Sequence, residues 1–292
     1  MIETFLKVRW VALGLLLAVA GLVASGVETA SVPDNALTVW FLETDPKLQE
    51  YYRFQETFGN DEVILVEIQE PNGVFSKNAL EKIKAFGERL AQIQGVDRVS
   101  SIVTVDDAVL KDEALAFEKA IPESIPDDPA ILEGLHERLV DNPLFSGRLV
   151  SSDGKRAMVW VQMGDMNEID VRRDAIVDEV YRVADEMLGD TRHPIGGVGV
   201  IYSGLNKQTR ADVGILTPAS YLLLFLALWW VFPSFRLVLA ALGVVALATF
   251  ICLGVYGLFG NQINTVMLIL PTLITVLGLA DAIHFPAALA HQ

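Results

Sequence analysis

Four long apolar stretches constrain the fold of this chain more than any other feature of its sequence. About 20 apolar residues are needed for a helix to cross the ~30 Å hydrocarbon layer of a bilayer. The stretches are residues 10–27, 215–232, 237–259 and 263–283. Since hydrocarbon offers the backbone no hydrogen-bond partners, we expect each stretch to form a membrane-spanning helix.

Charge is concentrated between the first two stretches. The chain is 52% hydrophobic but carries a net charge of −15, and almost all of its charged residues lie within 28–210, where acids outnumber bases. We therefore predict three parts: a cytoplasmic N-terminus with the first membrane helix (1–27), an external α+β domain (28–210) and membrane helices two to four (211–292). Because a strongly acidic surface repels nucleic acids, we expect no nucleic acid as a partner.

The first apolar stretch has two interpretations. Lys7 and Arg9 precede an apolar core that ends near Ala24-Ser25-Gly26, a pattern also typical of a cleaved secretory signal. The core is longer than in most signals and three more stretches follow, which favours an uncleaved anchor. Basic flanks favour the cytoplasm, so Lys7, Arg9 and Arg236 all place 28–210 on the opposite side.

The external segment begins with the pattern of one strand–helix–strand unit. Residues 63–69 alternate as a strand that ends at the turn Pro71-Asn72-Gly73. Ser76 then suits the N-cap of a helix that reaches about residue 94. Residues 96–105 are predicted to return as a strand.

A second, similar unit follows. Strands at 148–152 and 156–163 flank Asp153-Gly154, a strong hairpin signal. A helix over about 169–188 and a strand over 195–202 complete the unit. Two such units predict a ferredoxin-like α+β sandwich with helices covering one face of the sheet.

The last apolar stretch contains a carboxylate, Asp281. A charged side chain in hydrocarbon costs at least ~2.5–3.5 kcal/mol, so such residues usually face a bundle interior and serve ion or proton pathways. At ~100° per residue, Pro271, Thr275 and Gly278 share one helical face with Asp281 at its side. We predict that this face packs against other helices, with Pro271 introducing a kink.

The string Gly278-Leu279-Ala280-Asp281-Ala282-Ile283-His284-Phe285, together with one span, a large external domain and three close spans, resembles the resistance-nodulation-division (RND) superfamily. The likeness is greatest to its branch of MMPL proteins, hopanoid exporters and predicted RND exporters, to which Patched is distantly related. Relatives have about twelve spans in two repeats, so the resemblance identifies this chain as their N-terminal part. It implies a bacterial inner-membrane exporter that exchanges protons for lipids or other hydrophobic or amphiphilic substrates.

By position, the resemblance makes Asp281 the proton-carrying acid. Relatives often have a second acid or a tyrosine next to it, where this chain has Ala282. We therefore predict that His284, three residues along the helix, relays the proton or tunes the acid. The alternatives are that Asp281 is a structural residue bonded to a missing span, and that His284 is an interfacial histidine with no role in coupling.

Other functions find less support in the sequence. No nucleotide-binding motif, metal-ligand spacing or nucleophile–base arrangement is evident, so we expect no cofactor, no metal and no enzymatic activity. Expected partners are membrane lipids, a hydrophobic or lipid substrate, a missing C-terminal repeat or other subunits, and a periplasmic carrier. The alternative function is a non-transporting sterol-sensor-like protein or an accessory factor in protein export, similar to SecDF.

Overall fold

The computed structural model describes residues 2–111, 114–164, 169–231 and 234–290. In chain order its elements are α1 Ile2–Ala30, α2 Pro46–Phe58, β1 Val63–Gln69, α3 Lys77–Leu90, β2 Val96–Ser100, β3 Asp106–Lys111, β4 Ala114–Lys119, α4 Pro129–Asp141, β5 Arg156–Met163, α5 Ile169–Leu188, β6 Ile195–Gly196, α6 Val198–Val231, α7 Phe235–Leu258 and α8 Ile269–Ala290. They form two compact units. The membrane unit comprises Met1–Val39 and Leu205–Gln292, and the sheet unit comprises Trp40–Gly204.

Apolar helices dominate the membrane unit. Within the described residues, three helices are long and apolar enough to cross a membrane, namely Trp10–Ala30, Val198–Val231 and Phe235–Leu258. A shorter apolar helix covers Ile269–Ala280. The chain is thus a multi-pass membrane protein, and the fourth predicted span remains a prediction. Residues 263–268, predicted as part of it, precede α8 as non-helical chain.

The sheet unit contains a four-stranded antiparallel sheet in the order β2-β5-β1-β6. The predicted strand 63–69 is confirmed, and it pairs with β5 from Val63↔Gln162 to Gln69↔Arg156. Since β1 and β2 each pair antiparallel with β5, they run parallel to one another with one strand between them. The same holds for β5 and β6 on either side of β1, so α3 and α5 each connect parallel strands that are not adjacent.

The core of the sheet unit lies between the sheet and helices α3 and α5. Alternate residues of β1 (Ile64, Val66 and Ile68) have no exposed surface, as the period of a half-buried strand requires. Leucine, isoleucine and phenylalanine at helical spacing on α3 face them, and the buried residues of that helix include Leu80, Ile83, Phe86 and Leu90. Ser76 is the N-cap of α3 as predicted, and its Oγ accepts a hydrogen bond from Ala79 N at 3.3 Å.

The predicted strand 195–202 is wrong beyond its first two residues. β6 ends at Gly196 and α6 begins at Val198. Gly197 has φ +110°, and a Cβ there would lie 2.3 Å from Val63 O, so glycine permits the chain to leave the sheet and start a helix. The apolar run after Gly197 suits a strand or a helix by composition, and tertiary context selects the helix.

The returning strand is also shorter than predicted. It ends at Ser100, and residues 101–105 form a turn in which Thr104 Oγ1 accepts a hydrogen bond from Ser101 N at 2.8 Å. The sequence analysis missed the hairpin of β3 and β4 that follows, because its strands are short and rich in charge.

Candidate functional site

The face of α8 predicted to pack against other helices contacts both α6 and α7. Thr275 is 6% exposed, and its hydroxyl donates to the Pro271 carbonyl at 2.7 Å. The Tyr221 hydroxyl of α6 lies 3.5 Å from Thr275 Oγ1. A Cβ built on Gly278 would lie 3.3 Å from a methyl carbon of Val245 on α7. These contacts are of the small-residue and hydroxyl kinds that membrane helices use to associate.

The two predicted relay residues lie beyond this face. The backbone at Asp281 and His284 belongs to α8, whereas their side chains lie outside the part of the structure that is described. Their proton-relay role therefore remains a prediction. Pro271 is the third residue of α8, a position where its missing N–H removes no hydrogen bond within the helix, so nothing there requires the predicted kink.

An apolar cluster joins α6, α7 and α8 next to the relay segment. Leu279, two residues before Asp281 in sequence, is 8% exposed and packs with Leu228, Val238 and Leu242. Partly buried residues of α6 (Tyr221, Leu224 and Phe225) complete the cluster. This cluster packs α8 against α6 and α7 two residues before the acid.

Helices α1 and α7 approach through glycines. A Cβ on Gly26 would lie 2.0 Å from Gly254 O, and one on Gly257 would lie 1.7 Å from Gly26 O. No Cβ can occupy either position without moving a backbone, so the two helices touch main chain to main chain. The sequence signal was the spacing Gly254-x-x-Gly257, which the sequence analysis did not use.

The membrane unit also contains a polar cluster, which we call the polar latch. Its members are Asn35, Asn206 and Thr209, which are buried, and Thr265, which is exposed. Asn35 is 1% exposed, and its side-chain amide donates to Asn206 Oδ1 at 3.0 Å and to Thr209 Oγ1 at 3.2 Å. Asn35 Oδ1 accepts from the Thr265 backbone N–H at 2.9 Å and from the Thr265 hydroxyl at 2.8 Å.

The polar latch joins three parts of the chain. Asn35 follows α1, Asn206 and Thr209 belong to α6, and Thr265 precedes α8. Two backbone bonds reinforce it, from Asp34 N to Ile263 O at 2.9 Å and from Ile263 N to Ala30 O at 3.1 Å. Sequence reasoning missed this cluster, and the only local signal was the helical i, i+3 spacing of Asn206 and Thr209.

The sheet unit holds a second buried polar group. Arg173 has no exposed surface, and its Nε and Nη2 donate to the two carboxylate oxygens of Glu62, both at 2.7 Å. The guanidinium carbon lies 5.4 Å from the centre of the Tyr202 ring. Nearby in sequence, Tyr51 donates to Asp61 Oδ1 at 2.7 Å, and burial together with this bond raises the pKa of the Tyr51 phenol.

Residues 72–285, more than two thirds of the chain, match the model of the MMPL family. The chain belongs to the MMPL family. This confirms the resemblance drawn from the sequence and makes the protein a transporter of the RND type. The match runs from the sheet unit of this MMPL protein through α8 and includes Asp281 and His284. No curated protein matches the chain.

Proposed function

We propose that this MMPL protein exports lipids or other hydrophobic molecules and that proton entry drives the export. Family membership is the observation that carries the proposal. We place the protein in the bacterial inner membrane with residues 28–210 in the periplasm, since Lys7, Arg9 and Arg236 favour the cytoplasmic side.

Asp281 is the proposed proton carrier. In an apolar bundle a carboxyl group is more stable protonated, because burial disfavours the charged form. A carboxyl group that alternates between a dry and a wet surrounding therefore takes up and releases a proton as the bundle changes shape. His284 lies three residues along α8, where an imidazole is able to receive that proton near neutral pH.

The packing of α8 supports such a change of shape. Thr275 and Gly278 contact α6 and α7 through a hydroxyl and a small residue. Helices α1 and α7, by contrast, touch through backbone along Gly26 and Gly257. We infer that α1 and α7 form the fixed pair and that α8 moves against it.

The sheet unit is proposed to be a ferredoxin-like porter domain through which substrate passes. Its strand order β2-β5-β1-β6, with α3 and α5 each connecting parallel strands that flank a third, supports that assignment. The inserted β3–β4 hairpin and α4 lie between the two halves in sequence.

Replacing the acid tests the proposal. In proteoliposomes with an imposed pH gradient, wild-type protein is expected to move a fluorescent lipid in a proton-dependent manner, and Asp281→Asn is expected to abolish that dependence. Asp153→Asn is the matched control, because Asp153 is an exposed carboxylate in the turn before β5. Full proton-dependent transport by a folded Asp281→Asn protein would refute the assignment.

A different outcome separates transport from the alternative functions. If wild-type protein moves no lipid but binds a sterol-like or other lipid, or alters the rate of protein secretion, the sensor or accessory function replaces export. The Asp281→Asn comparison is then repeated with that binding or secretion assay.

A further inference from the structure

An exposed apolar segment follows α1, and we call residues 37–42 the apolar strap. Its large side chains are open to solvent: Leu37 is 48% exposed, Val39 36%, Trp40 52%, Phe41 41% and Leu42 78%. Residues Leu37–Trp40 form a single 3₁₀ turn in which no residue is buried. Five large apolar side chains in six residues are costly to keep in water, so the strap needs a covering surface.

The length of α1 sets the level at which the strap begins. The apolar part of α1, Trp10–Ala30, has 21 residues, and at ~1.5 Å per residue it is about 31 Å long. This equals the ~30 Å thickness of the hydrocarbon layer. Ala30 therefore lies at the boundary between hydrocarbon and headgroups, and the charged, exposed Glu28 close to it agrees with that level.

The polar latch holds the start of the strap at this boundary. Asp34 is hydrogen-bonded to Ile263, and Asn35 to Thr265. Ile263 is in turn hydrogen-bonded to Ala30 at the end of α1. Leu37 comes two residues after Asn35, and the 3₁₀ turn that follows advances only about 6–8 Å at ~2.0 Å per residue. A headgroup layer is about 5–8 Å thick on each side. By covalent reach alone, the strap begins inside that layer.

A second exposed ring lies at the same end of the membrane unit. Phe259 directly follows α7 and is 79% exposed. The bond between Ile263 N and Ala30 O brings the chain after Phe259 to the carboxyl end of α1. Aromatic side chains at such a level are typical of the belts that membrane proteins place among lipid headgroups.

We infer that the apolar strap lies in the headgroup layer of the bilayer, with Trp40 and Leu42 in contact with lipid. Its partner is a lipid surface. The strap is continuous with the membrane-spanning α1, carries no charged residue and is held at the boundary by buried hydrogen bonds. Contact with the bilayer removes its exposed apolar surface from water.

Fluorescence of Trp40 tests the inference directly. In the full chain, Trp10, Trp160, Trp229 and Trp230 are replaced by phenylalanine, and the protein is placed in phosphatidylcholine vesicles. Lipids brominated near the headgroup are expected to quench roughly half of the Trp40 emission, as for an interfacial indole. Aqueous iodide is expected to have little effect. The positive control retains only Trp230, a 90% exposed residue of α6.

Two results would overturn the inference. Quenching of Trp40 by iodide and not by brominated lipid places the strap in water. Quenching by neither places it against protein, which is the outcome if a peptide segment or another chain covers it.

A second variant keeps the test decisive if the tryptophan replacements prevent folding. Leu42→Cys in a Cys252→Ser background carries a spin label in an otherwise native chain, since Cys252 is the single cysteine. Collisions with oxygen are expected to exceed those with an aqueous nickel chelate. The matched control is Asp153→Cys in the same background, whose label is expected to favour the nickel chelate.

Discussion

At the scale of single residues, Arg173 is a fully buried charged side chain of the sheet unit. Arginine is almost never fully buried unless it is paired, and Arg173 meets Glu62 through two parallel hydrogen bonds. Removing one partner of such a pair leaves a buried charge without its counter-ion. The free energy of unfolding should therefore depend on both partners together.

We predict that Glu62→Gln lowers the free energy of unfolding of the sheet unit by about 3–5 kcal/mol, the usual cost of breaking a buried ion pair. The double variant Glu62→Leu with Arg173→Met should lose less, because no buried charge remains. Denaturant unfolding of the full chain in detergent measures both, with the other four tryptophans replaced by phenylalanine so that Trp160 alone fluoresces. A double variant as unstable as the sum of the single changes would contradict the prediction.

The sheet unit also shows which features could be predicted from the sequence and which could not. The strand 63–69 and the Ser76 cap were predictable because alternation and capping are local. Arg173 and Glu62 are 111 positions apart and lie in ordinary charged surroundings, so no local pattern joins them. The polar latch is even harder to predict from the sequence, because Asn35 and Thr265 are separated by 230 positions and meet only after the helices pack.

At the scale of elements, the close approach of α1 to α7 depends on glycines, which have no side chain at the contact. A Cβ on Gly26 would lie 2.0 Å from Gly254 O, whereas Gly21 on the same helix has no atom within 4 Å of such a carbon. Replacing glycine by alanine should therefore have opposite effects on stability at the two positions. Helix propensity alone favours alanine over glycine by about 1 kcal/mol.

We predict that Gly26→Ala destabilises the membrane unit by about 1–3 kcal/mol, the typical cost of overpacking. Gly21→Ala, the matched control, should be neutral or stabilising. The rate at which a maleimide modifies Cys252, two residues before Gly254 on α7, should rise in the Gly26 variant as α1 separates from α7. Equal modification rates in the two variants would mean that the glycine contact contributes no stability.

The membrane helices show which parts of an element can be predicted from its sequence. Apolar length located three helices that are long and apolar enough to cross a membrane, because the bilayer imposes that length, whereas the fourth predicted span remains a prediction. Apolar length did not show that α6 extends back to Val198, since the mostly polar residues 206–212 separate that start from its long apolar part. That extension makes α6 one 34-residue helix that belongs to the sheet unit at its start and to the membrane unit for the rest.

At the scale of the whole molecule, two compact units predict two unfolding transitions rather than one. Each unit has a buried polar group of its own, the polar latch in one and the Glu62–Arg173 pair in the other. Changes at well-separated sites that share no partner usually add in free energy. A change in one unit should therefore leave the transition of the other unit in place.

We predict that Asn35→Ala lowers the stability of the membrane unit by about 1–3 kcal/mol, because it removes the hydrogen bonds of the Asn35 side chain to Asn206, Thr209 and Thr265. The transition reported by Cys252 modification should move, and the transition reported by Trp160 fluorescence should not. Glu62→Gln should move the transition reported by Trp160 fluorescence and leave the transition reported by Cys252 modification in place. Asn261→Ala, an exposed residue of the loop after α7, is the control and should move neither. If both transitions shift together in either variant, the chain unfolds as one cooperative body, and α6 couples the two units more strongly than their separate cores suggest.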